Sequence, residues 1–121
     1  MAKDGKQAAI ARIEKLVRRL KLDEVETGTS YGDPALKVRG KSFATIKDAT
    51  TMVLPCPLEV KELLMESAPA IYYQTDHFRG WPGLLVRLDL IGDEELSLRL
   101  EDAWTFKAPK RLSAPRKEKA G

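Results

Sequence analysis

Residues 36–55 read LKVRGKSFATIKDATTMVLP. Short links at Gly40-Lys41 and Asp48-Ala49 separate three runs rich in apolar and β-branched residues, each too short for a helix. Links this short cannot carry a crossover, so the runs must pair as neighbouring antiparallel strands. In the first, Leu36 and Val38 share one face and Lys37 and Arg39 the other. In the second, Phe43 and Thr45 share a face with Ala44 and Ile46 opposite, which predicts a strand covered on both sides. Residues 25–27 offer a preceding strand, and Gly28, Gly32, Asp33 and Pro34 read as the loop that follows it.

Helical patterns flank this meander. Ile10, Ile13, Leu16, Val17 and Leu20 form one apolar stripe over residues 4–21, with Arg12, Lys15, Arg18 and Arg19 off it. Pro57 suits a first helical position, and Val60, Leu63 and Leu64 give the following helix an apolar face through Ser67. Residues 71–75, IYYQT, and 84–90, LLVRLDL, read as strands around the loop DHFRGWPG, with Val86, Leu88 and Leu90 on one face. Asp93 reads as the N-cap of a last helix that buries Leu96, Leu100, Ala103 and Trp104 and stops before Pro109. The order α, three or four β, α, two β, α predicts an α+β fold: an antiparallel sheet with helices packed on one side.

The 121 residues fit one domain over 1–112, with 113–121 as a flexible basic tail. No apolar run is long enough to span a membrane, and the N-terminal residues have no apolar signal-peptide core. A lone cysteine cannot form an internal disulfide and suits a reducing cytoplasm. The net charge of +3 is unevenly spread. Residues 1–21 hold seven Lys/Arg against two acids and residues 105–121 six against one, while 22–104 hold eight against fifteen. The body is acidic, so the basic pI says little about its partner.

Within that body Lys37, Arg39, Lys41 and Lys47 concentrate positive charge on the meander. They are either a grip for something anionic or the wet face of a sheet. Arg79 and Trp81 share a second loop, where the indole could stack on a base or wedge into a groove. Lys107, Lys110 and Arg111 could add phosphate contacts. Tyr72, Tyr73, Phe78 and Trp81 suggest instead an aromatic groove for a peptide or small ligand, with only one of the adjacent tyrosines able to face inward. For catalysis there is one cysteine, Cys56, and one histidine, His77, with no third orienting group evident. CxxC, HExxH and phosphate-loop motifs are absent from the sequence. Asp93, Glu94 and Glu95 are explained by a helix start, and Glu101 and Asp102 by a helix surface. The expectation is a non-enzymatic protein without cofactor or metal.

The segments GTSYGDPALKVRGKSFA (28–44), LPCPLEVKELLMES (54–67), HFRGWPGLLVRLDL (77–90) and LEDAWTFKAPKRL (100–112) resemble, in order and spacing, the MmcQ/YjbR family of small bacterial proteins. The resemblance covers roughly residues 22–112. It implies a compact α+β domain of secretion-chaperone-like or frataxin-like layout, and DNA binding through two hairpin wings. Carried onto this sequence, the wings are the hairpin with Lys37, Arg39 and Lys41 and the loop with Arg79 and Trp81, with Lys110 and Arg111 alongside. Two departures stand out. The N-terminal helix is more basic than the family's usual one, and the acidic body suits a strong duplex binder poorly.

Overall fold

A computed structural model describes residues 2–112, with side chains from Gly5 onward. Helix α1 (Ala2–Leu20) is followed by strands β1 (Val25–Ser30), β2 (Asp33–Val38), β3 (Lys41–Asp48) and β4 (Thr51–Pro55). Then come helix α2 (Leu58–Ser67), the short strand β5 (Tyr72–Tyr73), a 3₁₀ turn (Asp76–Phe78), β6 (Gly83–Arg87) and helix α3 (Asp93–Lys107). The six strands form one sheet in the order β1-β2-β3-β4-β6-β5, and every neighbouring pair is antiparallel. The α+β class follows directly. The predicted tail at 113–121 lies outside the described residues.

Four local readings are corrected, each for a physical reason. The loop assigned to residues 28–34 is mostly strand: β1 runs on to Ser30 and β2 starts at Asp33, around a two-residue turn at Tyr31 and Gly32. Both turn residues have positive φ, +52° and +85°, which matches the right-handed twist of the paired strands. The next hairpin repeats the device with Arg39 and Gly40, so Lys41 is the first residue of β3, paired with Val38, and not a turn residue. A register shift after Leu36 leaves Phe43 as an extra residue on β3, and this bulge lets Phe43, Ala44 and Ile46 all enter the core while Thr45 stays on the other face. Strand β6 ends at Arg87: the chain turns there, with Leu90 and Ile91 N–H both donating to the Arg87 carbonyl, and Leu90 is exposed.

The ends of the helices also shift. Gly92, not Asp93, precedes α3 as its cap. The Asp93 carboxylate instead accepts from Arg12, whose guanidinium also donates to the carbonyls of Leu88 (2.6 Å) and Ile91 (2.8 Å). One arginine of α1 thus ties down the whole β6–α3 turn. In α2, Pro57 stands before the helix, Leu63 is exposed, and the buried residue is Lys61.

Helices α1 and α3 cross one face of the sheet and touch each other, while α2 packs beside β5 and β6. Ile13, Leu16 and Val17 of α1 and Leu96, Leu100, Ala103 and Trp104 of α3 meet Ile46, Met52, Leu54, Leu84, Val86 and Tyr72 there. Trp104 is fully buried, and its indole N–H donates to the Asp23 carbonyl, fixing the end of α3 against the α1–β1 link. Burying such a ring is worth about 2–3 kcal/mol from apolar transfer alone. Among the described residues the opposite face carries no α-helix, and that is where the candidate site lies.

Candidate functional site

Strand register puts Gly28, Ala35, Thr45, Val53, Leu85 and Tyr73 side by side across all six strands on the helix-free face. Small side chains dominate the middle of this row, so the sheet is shallow there. Over it the structure leaves a groove of about 540 Å³. Ser42, Thr45, Val53 and Pro55 form its floor, Ser30, Tyr31 and Asp33 come from the first hairpin, and His77, Phe78 and Trp81 from the loop before β6. Lys47 and Lys107 complete the lining.

The aromatic loop is a built feature. Phe78 packs edge-on against both His77 and Trp81, with ring centroids 5.5 Å apart in each pair. Behind it Lys61 of α2 is 2% exposed, and its ammonium donates to the backbone carbonyls of Phe78 (2.7 Å) and Trp81 (2.8 Å). Burial pushes the Lys61 pKa down from its ordinary value. A β-carbon added at Gly83 would lie 1.9 Å from the Trp81 ring, so the indole rests where only glycine leaves room. Trp81 nevertheless stays 40% exposed, with the groove in front of it.

Two of the cationic residues read from the sequence, Arg39 and Arg79, are countered by a neighbouring acid. Lys37 stands opposite Glu26 in the β1–β2 register, and its chain lies along Gly28. Arg39 grips Glu24 through both Nε and a terminal nitrogen. That hydrogen bond holds the Glu24 carboxyl below its ordinary pKa, and the nearby charge of Arg111 adds to the effect. Arg79 is paired with Asp76 at 2.9 Å. Lys41, Lys110 and Arg111 are exposed. In the hairpin, then, Arg39 is tied to its own countercharge, while Lys37 and Lys41 lie on a wet sheet face with no ion pair among the described residues.

Of the four aromatic residues proposed as a groove, two line it and two do not. Phe78 and Trp81 are on the lip. Tyr72 is core, its hydroxyl donating to Glu95, and burial is the first cause that raises its pKa. Tyr73 faces the other way and lies under Arg87, whose guanidinium carbon is 4.2 Å from the ring centroid. The inward–outward split of the tyrosine pair follows the strand pleat. The aromatic residue that sequence reasoning missed is Tyr31, fully exposed at a turn. Its signal was the Tyr-Gly pair, which fits a two-residue hairpin turn once the flanking runs are both taken as strands.

Cys56 and His77 do not form a pair. Cys56 is buried in the helix-side core, where burial pushes its thiol up to about 11, whereas His77 is exposed on the groove lip. Among the described residues no group of three His, Cys, Asp or Glu converges on a point that could hold a metal ion, and no helix is long and apolar enough to cross a membrane.

A family model described as YjbR matches residues 20–106. The chain belongs to the YjbR family. The match spans β1 to the last turn of α3, so the whole sheet, the aromatic loop and most of the groove lie inside the family's unit, while most of α1 lies outside it. Uncharacterised proteins of Mycobacterium bovis and Mycobacterium tuberculosis are 42% identical to the chain over 53 residues, which is 44% of this chain and 41% of theirs. The chain therefore matches less than half the length of these relatives. No solved structure matches it.

Proposed function

We propose that this YjbR-family protein is a non-catalytic binding module whose ligand lies in the groove on the helix-free face of the sheet. The observation that carries this reading is the aromatic lip, held by buried Lys61 through two backbone carbonyls so that Trp81 fronts an open groove. A lysine is costly to bury, and here its ammonium donates to two backbone carbonyls of one loop. A pre-formed concave site with apolar walls and a few hydroxyls is the usual form of a ligand site. The buried, proton-holding thiol of Cys56 and its separation from His77 support the non-catalytic part of the proposal. A reducing, cytoplasmic setting belongs to the same reading.

Trp104 is buried, so changes in indole fluorescence on adding a ligand report on Trp81. Fragment titrations should shift that signal and the amide resonances of β3, β4 and residues 76–82, and Trp81→Ala should abolish both. Shifts that persist in Trp81→Ala would remove the groove from consideration.

A second reading is weak DNA binding of the kind the family resemblance implies. Exposed Lys41, Lys110 and Arg111 favour it, with Lys37 at the side of the same hairpin. Anisotropy of a labelled short duplex, measured at two salt concentrations with the full chain and with the chain ended at Leu112, tests it. Salt-sensitive binding by the shortened chain that is lost in Lys37→Ala/Lys41→Ala supports it. Binding that vanishes with residues 113–121 sinks it for the folded body.

A further inference from the structure

We infer that the groove selects a small molecule with a planar apolar body and at least one anionic group. This rests on the groove reading above and adds the ligand's chemistry. The charge around the groove is one-sided. Its lining contains a single carboxylate, Asp33, and that carboxylate already accepts from Lys6 at 2.9 Å. Two lysines line it, Lys47 and Lys107, and among the described residues neither forms a salt bridge. The acid next to Lys47 in sequence, Asp48, is occupied by the backbone N–H and hydroxyl of Thr50. Each lysine instead lies over an aromatic ring, Lys47 at 5.7 Å from the Phe78 centroid and Lys107 at 5.3 Å from Phe106. Each ammonium is held near a ring face and lacks an anion, so an incoming carboxylate, sulfonate or phosphate meets no competing carboxylate there.

The two lysines are rooted toward opposite ends of the sheet. Lys47 is near the end of β3 and Ser42 near its start, about 17 Å apart along the strand. The Trp104–Asp23 bond brings the end of α3, and with it Lys107, to the end of the sheet where Val25, Val38 and Lys41 pair. Between the ends lie Val53 and Pro55 on the floor and the rings of Phe78 and Trp81 on the wall. Those surfaces suit a flat apolar body. The hydroxyls of Ser30, Ser42 and Thr45 offer further polar contacts near its edges.

The test pairs a fluorescent anion with its uncharged counterpart: anilinonaphthalene sulfonate and the sulfonate-free phenylnaphthylamine, titrated into the full chain at low salt. The sulfonate should bind about tenfold more tightly than the neutral probe, as one charge-assisted contact would give. Lys47→Gln/Lys107→Gln should erase that preference, bringing the affinity ratio of the two probes to about one, and the single variants name the lysine that holds the anion. Trp81→Ala should weaken both probes, with Trp81→Phe as a second variant that keeps a ring. Equal affinity for the two probes, or a preference untouched by the lysine changes, overturns the anion inference while the groove stands. Displacement of the sulfonate by an acidic peptide lacking aromatic residues overturns the planar-body part. Binding of neither probe in a Trp81-dependent manner overturns both this inference and the groove reading.

Discussion

The two faces of the sheet are built from alternate residues of the same strands, yet they do opposite things. On the helix side Ile46, Met52, Val86 and Tyr72 follow one another across β3, β4, β6 and β5, and the three α-helices cover them. On the other side Thr45, Val53, Leu85 and Tyr73 make the matching row, and a single loop covers only part of it. The first row is large and close-packed, the second small in its middle. Apolar volume on one side holds the fold together; its scarcity on the other leaves room for a ligand. The two tryptophans carry the contrast in one residue type, Trp104 fully buried and Trp81 40% exposed.

The sharpest way to break this comparison is to truncate both. Trp104→Ala should destabilise the protein by about 3–5 kcal/mol, because it empties the centre of the helix-side core. Trp81→Ala should cost well under half of that and act on ligand binding instead. Urea unfolding of the two variants checks it, and equal losses would mean that the lip is part of the core.

The buried thiol sharpens the same contrast from inside. Cys56 should react with a disulfide reagent near neutral pH at least about tenfold more slowly than in the unfolded chain, since burial shields the sulfur and raises its pKa from 9.0 to about 11. The sign of the linked pH effect follows. Between those two values the unfolded thiol gives up its proton while the folded one keeps it, so stability contributed by this group falls as pH rises through that window. A Cys56→Ser variant should lose that part of the slope.

Lys61 joins the two faces, and Lys61→Met tests the joint. It keeps the buried stem and removes both bonds to the loop, which should cost about 1–3 kcal/mol and leave Trp81 more mobile. Trp81 anisotropy that stays at the wild-type value would show that Gly83 and Phe78 hold the lip unaided. The smallest effect belongs to the hairpin: the coupling of Arg39 with Glu24, from a double-mutant cycle, should fade as salt is raised. Coupling that persists at high salt would mean that the pair is shielded from solvent.

The core was largely legible in the sequence. Helical spacing singled out Ile13, Leu16 and Val17 in α1, and Leu96, Leu100, Ala103 and Trp104 in α3, all of them buried. The antiparallel meander followed from its short links. The site was less legible because its parts are distant in the chain. Tyr31 and Thr45 meet Phe78 only after four strands have paired, and nothing local to any of them marks it as a neighbour of the others. Phe43 misled because a bulge shifts the alternation by one residue, and a bulge depends on the partner strand as much as on its own.

Side-chain period, turn length and apolar content are local properties, so the sequence alone determined the α+β class, the order of the elements and the tryptophan that anchors α3. Where charges and polar groups end up depends on what the fold brings against them. Tertiary structure alone decided that Arg39 answers to Glu24, that Arg12 ties down the β6–α3 turn, and that a buried lysine of α2 holds the loop carrying Trp81. The physical reason is reach: a hydrogen bond is made across a few ångströms of space, and those partners are separated by many residues of chain.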